Sequence, residues 1–182
     1  MCNCINCVFN NNEFWLGIVK KSEVRLHAFG RACRLVVDNG DGRGTELLYL
    51  CQDELQRLEN KFSSYLPDSI TSRINQSAGT GFYVPLDAEA RSLFHYIDAL
   101  WQESKHIFDP TTRILQDCYN STGNLLASDR LHGMLELVGW RNLEITDTGA
   151  HLSGKGMLID LNSCIRPYAL DSVRKLLLKN GV

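Results

Sequence analysis

Two stretches of helical periodicity constrain the fold of this chain more than any other feature. From about Thr45, and again after Asp87, apolar residues recur at spacings of three and four, with charged residues on the opposite face. Asp87 is a favoured N-cap residue, which marks the start of the second stretch. Each predicted helix must bury its apolar face in a core. The apolar positions are Leu48, Cys51, Leu55, Leu58 and Phe62, then Ala90, Leu93, Phe94, Ile97, Leu100 and Trp101.

Strand-like segments flank these helices. β-branched and aromatic residues over Phe14–Val19 and Val24–Val37 predict strands, and further strand-like segments are Leu143–Thr146 and Met157–Leu161. Gly30 falls inside the second of these segments, and a glycine there indicates a bulge or a close backbone approach. Since strands and helices do not alternate strictly, we predict an α+β fold, with an antiparallel or mixed sheet packed with helices.

Two further helices are predicted in the second half of the chain. The first begins after Ser128 and ends at Gly139, a residue type that favours helix termination. The second has Pro167 in its first turn, a position that proline favours, and ends near Gly181.

The composition excludes several classes of protein. The chain has 182 residues, of which 44% are hydrophobic and 22% charged, with a formal net charge of -2, so disorder is not expected. No apolar run is long enough to span a membrane, and the charge gives no general reason to expect a nucleic-acid partner. We predict a poorly ordered leader rich in Cys and Asn over residues 1–12, and a single domain over 13–182.

The cysteines are unusual in number and position. There are seven, and Cys2, Cys4 and Cys7 crowd the start of the chain without a recognisable secretory signal before them. We expect reduced thiols in a cytoplasmic protein. A metal-binding role for these three cysteines is the alternative, although a structural zinc site needs a fourth ligand.

Five short motifs occur in an order that resembles one known family. Each alone is typical of an ordinary turn or helix cap. Together they resemble the ApbE family, the FAD:protein FMN transferases, whose motifs are A-M-G-T, S-x-Y-x-P-x-S-x-x-S/R-x-x-N, G-A-F-D-P-T, V-G-W and D-L-G-G-I-A-K-G-Y-A-V-D. The corresponding segments here are Ala28–Arg31, Ser63–Asn75, His106–Thr111, Val138–Trp140 and Asp160–Asp171.

The resemblance implies protein flavinylation. Family members bind FAD with a divalent cation, usually Mg²⁺, and transfer FMN to a Thr or Ser hydroxyl of a target flavoprotein. It also implies the N-terminal part of an ApbE-like (T-fold-like) architecture. Matching position by position, the resemblance implies that the side chains contacting FAD are Phe29, Tyr65, Ile107, Phe108, Asp109 and Arg166, and that the main-chain carbonyl of Ala169 binds the metal. No catalytic residue is identified in this way.

The chain also departs from the family pattern. Asn162 and Ser163 replace a Gly-Gly pair, Pro167 replaces another glycine, and Arg166 replaces the usual lysine. The family's later H-I-I-D-P-x-T-G motif does not occur before Val182, so we expect weak transfer, or none, from this chain alone. The alternative is a non-catalytic module that binds flavin or a partner and is completed by a second chain or a dimer. Family members are often exported to the periplasm.

Overall fold

A computed structural model gives the fold. It describes residues 6–8, 21–38, 42–119, 123 and 128–182. The chain divides into two compact units, one formed by residues up to Asn60 together with Ile165–Val182, and the other by Lys61–Cys164. The single domain over residues 13–182 and the poorly ordered leader over 1–12 stay predictions.

The first unit contains an antiparallel sheet of three strands. They are β1 (Asn6–Val8), β2 (Lys21–Ala28) and β3 (Arg31–Asp38), in the order β1-β3-β2. Alternate residues of β3 are buried, among them Leu35 and Val37, as expected for a strand with one face on a core. The strand predicted at Phe14–Val19 lies outside the described residues, and the strand-like segment Val24–Val37 is divided between β2 and β3.

A turn of two residues joins β2 to β3 where the sequence suggested a bulge or a close backbone approach. Phe29 and Gly30 both have positive φ angles, of 53° and 69°, as hairpin turns of type I′ require. A positive φ is uncommon for a residue other than glycine. Here the Phe29 amide donates a hydrogen bond to Glu59 Oε1 at 2.7 Å, and its side chain is buried.

Helix α1 (Gly44–Phe62) confirms the first predicted helix. The apolar positions that its periodicity selects are all buried: Leu48, Cys51, Leu55, Leu58 and Phe62. The hydrophobic effect of burying that face stabilises the helix more than its intrinsic propensity does.

Helix α3 (Ala88–Glu103) confirms the second prediction, including its cap. Asp87 Oδ1 accepts a hydrogen bond from the Ala90 amide at 2.8 Å. The Lys61 ammonium and this amide hold the pKa of Asp87 below its usual value. Ala90, Leu93, Phe94 and Ile97 are buried, while Leu100 and Trp101 are half-buried.

The second unit contains two further helices and two 3₁₀ segments. Helix α2 (Ile70–Gln76) follows the Pro67 turn, and helix α4 spans Ser128–Leu135. The 3₁₀ segments are Pro110–Cys118 and Trp140–Asn142. The predicted end of α4 at Gly139 is wrong, because the Gly139 amide donates to Thr111 Oγ1 instead of a helical carbonyl.

The second unit also has a hairpin, β4 (Leu143–Thr146) paired antiparallel with β5 (Gly149–Leu152). The first of these strands was predicted. The strand predicted at Met157–Leu161 is wrong, since none of those residues is in a strand. Their polar backbone groups bond elsewhere: the Ile159 amide donates to Asn75 Oδ1 at 2.8 Å, and the Ile159 carbonyl accepts from Asn75 Nδ2 at 2.9 Å.

The last helix, α5, spans Asn162–Lys179. Its start corrects the prediction that Pro167 stands in the first turn, because the helix begins five residues earlier. Asp160 Oδ1 accepts a hydrogen bond from the Asn162 amide at 3.0 Å and so satisfies one of the free donors at that end. Pro167 lies inside the helix, where it donates no hydrogen bond.

Cys33, Cys51, Cys118 and Cys164 are buried thiols outside any disulfide. Burial raises the pKa of Cys51 and Cys164 to about 11, so both are protonated and unreactive near neutral pH. Cys2 and Cys4 lie outside the described residues, Cys7 is in β1, and the role of these three stays a prediction.

Among the described residues, no helix combines the length and the apolar character that crossing a bilayer requires.

Candidate functional site

The loop between α1 and α2 is held by hydroxyl groups of its own motif. Ser69 Oγ donates to the Ser63 carbonyl at 2.6 Å, and Ser72 Oγ donates to the Ser64 carbonyl at 3.2 Å. Ser69 Oγ also accepts a hydrogen bond from the Ser72 amide, which caps α2. The serines of this motif therefore stabilise the loop itself.

Tyr65 lies on that loop with its ring directed to solvent. The side chain is 61% exposed, and its backbone amide donates to Ser63 Oγ at 3.3 Å. A large aromatic face that the chain itself leaves uncovered can pack against a planar ligand. This is the residue that the family motif matches to the flavin-packing aromatic.

Asp160 connects three parts of the second unit. Its Oδ1 accepts hydrogen bonds from Ser64 Oγ at 3.1 Å and from the Asn162 amide at 3.0 Å. Its Oδ2 lies 3.7 Å from Nε of Arg113, and its amide donates to the Pro110 carbonyl at 2.9 Å. The carboxylate thereby joins the Tyr65 loop, the 3₁₀ segment and the start of α5.

The second predicted contact segment follows α3. Lys105 and His106 have positive φ angles of 55° and 68°, and the His106 ring stacks on Trp101 with centroids 3.8 Å apart. The chain then presents Ile107 with its side chain 86% exposed, while Phe108 is half-buried. An aliphatic side chain so exposed is suited to cover an apolar ligand surface.

Asp109, in contrast, uses both carboxylate oxygens within the protein. Oδ1 accepts from the Thr111 amide at 2.8 Å and from Thr111 Oγ1 at 2.6 Å, and Oδ2 accepts from the Trp140 amide at 3.0 Å. Thr111 Oγ1 in turn accepts from the Gly139 amide at 2.7 Å. The third and fourth motifs of the chain are thus parts of one hydrogen-bonded structure, with the Trp140 ring buried beside Phe94.

The other predicted contacts lie in the first unit. The Phe29 side chain is 1% exposed, so it belongs to the core of that unit. Arg166 is half-buried on α5, and among the described residues none accepts a hydrogen bond from its buried Nε. Buried donors are normally satisfied by protein, water or a ligand, so this atom can donate to a group outside the protein.

Ala169, the predicted metal ligand, is fully buried within α5. A carbonyl inside a continuous helix already accepts an amide from the next turn. In the part of the chain that the structure describes, no group of three or more His, Cys, Asp or Glu side chains could hold a metal ion. Metal binding by the Ala169 carbonyl stays a prediction.

Sequence reasoning missed the roles of Ser64, Asn75 and Asp160. Asn75 and Asp160 stood in motifs but were assigned no function, and Ser64 stands at a variable position of its motif. The one available signal was Asp160 two residues before a helix, a position from which aspartate often accepts a backbone hydrogen bond. Its partners Ser64 and Arg113 are remote in sequence, so periodicity does not reveal them.

The comparisons with known proteins agree on one family. The model of the ApbE family matches residues 29–182. The fold is similar to that of the ApbE protein of Thermotoga maritima, with 25% identity and a TM-score of 0.77, over 88% of this chain and 53% of that one. No curated protein matches the sequence.

Two more solved structures have a similar fold. The flavin transferase ApbE of Vibrio cholerae has 15% identity and a TM-score of 0.78, over 90% of this chain and 55% of its own. The flavinyl transferase ApbE of Pseudomonas stutzeri, in its apo form, has 23% identity and a TM-score of 0.73, over 91% and 54%. The chain thus spans about half the length of the structures it matches. These likenesses confirm the α+β fold that was predicted.

Proposed function

Because the chain belongs to the ApbE family, we propose that it binds FAD and takes part in transferring FMN to a target flavoprotein. In that reaction the oxygen of a Thr or Ser hydroxyl forms a bond to the phosphorus of the FMN half. The bond between this phosphorus and the bridging oxygen breaks, AMP leaves, and the hydroxyl proton passes to a base.

The observation that carries the proposal is the state of Tyr65. It occupies the aromatic position of the family motif, and its loop is held by internal hydrogen bonds while the residue is 61% exposed. A rigid support that presents an uncovered aromatic ring suits stacking against an isoalloxazine or adenine ring. The exposed Ile107 supports the same interpretation for the second loop.

Arg166 supports recognition of the diphosphate. Its guanidinium is always charged, and its planar set of donors matches phosphate oxygens. A buried Nε without a partner would gain a charge-assisted hydrogen bond from such a ligand.

Magnesium enters only as an added component of the reaction. The family resemblance implies it, and when bound it would neutralise charge on the diphosphate. Since the described residues supply no cluster that fits a metal ion, no step of the proposal depends on a magnesium site built by this chain.

Flavin binding is tested first, by titrating the chain into FAD and following flavin fluorescence. We expect saturable quenching, and Tyr65→Ala should weaken binding about tenfold, as the loss of one stacked ring does. Tyr96→Ala, which removes an exposed tyrosine from α3, is the matched control and should bind like the wild type. Equal affinity of all three proteins would contradict the role of Tyr65, and no quenching would contradict flavin binding.

Transfer is tested by incubating the chain with FAD, Mg²⁺ and a target flavoprotein, then measuring covalent flavin on the denatured target. The sequence-based expectation is weak transfer by this chain alone. Robust turnover would overturn that expectation and support a complete transferase.

A non-catalytic module is the second candidate function. It is favoured by the start of α5, where Asn162 and Ser163 stand at the family's Gly-Gly positions and are incorporated in a regular helix. Flavin binding without transfer, with transfer restored by adding a second polypeptide, would support this candidate. Transfer by the chain alone would exclude it.

A further inference from the structure

We propose that Ser64 is a positioning residue, which holds the Tyr65 ring in place for flavin through its hydrogen bond to Asp160. This inference rests on the proposed flavin binding. It concerns a residue at a variable position of the family motif, one that no comparison with known proteins assigns.

Few contacts hold the Tyr65 side chain. Its side chain is mostly exposed, and the hydrogen bond from its own amide to Ser63 Oγ is long, at 3.3 Å. Packing therefore contributes little to fixing the ring. The position of the ring depends on the neighbouring backbone, in particular on Ser64, the residue directly before it.

Ser64, in contrast, is hydrogen-bonded through both its carbonyl and its hydroxyl. Its carbonyl accepts from Ser72 Oγ at 3.2 Å, and its own Oγ donates to Asp160 Oδ1 at 3.1 Å. Asn162 Nδ2 also donates to Ser64 Oγ, at 3.5 Å. The carbonyl is bound within its own motif, but the hydroxyl is bound to a segment 96 residues away in sequence.

Asp160 is itself held by further hydrogen bonds. Its carboxylate also accepts from the Asn162 amide, and its side chain is only 14% exposed. The preceding residue, Ile159, is fixed on both of its backbone polar groups by Asn75. The hydrogen bond to this carboxylate fixes the position of Ser64. It thereby fixes the backbone of Tyr65, the next residue.

The experiment is a double-mutant cycle on FAD affinity. Ser64→Ala should raise the Kd for FAD about tenfold, the factor for losing one hydrogen bond to a charged group. Ser64→Thr, which keeps the hydroxyl, should restore most of the affinity. In a Tyr65→Ala background, Ser64→Ala should change the Kd less than about twofold, because the two residues act on the same contact.

The control is Ser92→Ala, which removes a hydroxyl bound to the Ala88 carbonyl on the exposed face of α3. It should leave the Kd unchanged. An equal loss of affinity from Ser64→Ala with and without the Tyr65 ring would overturn the proposal, as would an unchanged Kd in the single variant.

Hydrogen exchange of the Tyr65 amide gives a readout that does not depend on FAD. In the free protein, Ser64→Ala should speed this exchange, while Ser92→Ala should not. If FAD fails to bind but exchange is faster in Ser64→Ala, flavin binding is wrong while the positioning of Tyr65 stands. If FAD binds and exchange is unchanged, the positioning role is wrong.

Discussion

Asp109 and Arg166 were both predicted to contact FAD, yet their charged groups differ in the hydrogen bonds that they form within the protein. Both carboxylate oxygens of Asp109 accept hydrogen bonds from the protein, from Thr111 and Trp140. In contrast, no residue within the described ranges accepts a hydrogen bond from the buried Nε of Arg166. A charged group that accepts several hydrogen bonds from its own chain contributes to the stability of the fold, whereas a buried donor can still bind a ligand.

The largest loss of stability is expected from removing the Asp109 carboxylate. Asp109→Ala removes the acceptor of three hydrogen bonds and leaves the amides of Thr111 and Trp140 unpaired. We expect the free energy of unfolding to fall by about 3 kcal/mol, measured by urea denaturation.

Asp109→Asn is the matched variant. One oxygen can still accept from Thr111, but the amide nitrogen meets the Trp140 amide, so an intermediate loss is expected. A loss below about 1 kcal/mol in Asp109→Ala would mean that the carboxylate is free to bind a ligand after all.

The next largest loss of stability is expected at Asn75, whose neutral side-chain amide is also hydrogen-bonded within the protein. Asn75→Ala removes both hydrogen bonds to the backbone of Ile159, and we expect a loss of about 2 kcal/mol in the free energy of unfolding. Asn60→Ala, which removes an exposed amide that accepts from Gln56, is the control. A similar small loss in both variants would contradict the structural role of Asn75.

Arg166→Met tests whether the buried Nε of Arg166 serves ligand binding. Methionine keeps much of the aliphatic packing, so stability should change by less than about 1 kcal/mol. The affinity for FAD should fall about tenfold, because a charged hydrogen bond to the ligand is lost. Calorimetric unfolding and FAD titration measure the two quantities separately, and a large loss of stability with unchanged affinity would reverse the comparison.

The smallest loss of stability is expected at Glu23, an exposed carboxylate that is hydrogen-bonded within the protein. Hydrogen bonding to Arg34 lowers its pKa from 4.5 to about 2, so the stabilisation is present above pH 4.5 and is lost as the pH falls toward 2. Solvent screens the pair, so Glu23→Gln should cost less than about 1 kcal/mol at neutral pH. Urea denaturation of both proteins at several pH values should show this difference vanishing near pH 2, and a larger difference in acid would contradict the sign.

The parts of the fold that were predictable from sequence are those whose partners are local or periodic. Helices α1 and α3 follow from their apolar spacing, and Asp87 caps the helix that starts at the next residue. The start of α5 was misplaced because Pro167 is typical of a first turn, while the acceptor that begins the helix is the side chain of Asp160.

The residues of the candidate site stay predictions from the family motifs, and the hydrogen bonds that connect them were not predictable from sequence. Tyr65 and Ile107 are exposed in a way that suits their predicted contacts. The links from Asp160 to Ser64 and from Asp109 to Trp140 join residues that are 96 and 31 positions apart. Hydrogen bonds over such separations have no signature in local spacing, so only the folded chain reveals them.

The two hydrogen bonds between the Asn75 side chain and the Ile159 backbone affect how the chain folds. They join positions 84 residues apart, so the entropy of closing a long loop opposes their formation. The Ile159 and Asp160 amides donate to Asn75 Oδ1 and to the Pro110 carbonyl, both remote in sequence, so we expect them to gain protection from exchange late in folding. Refolding followed by pulsed hydrogen exchange would record that delay.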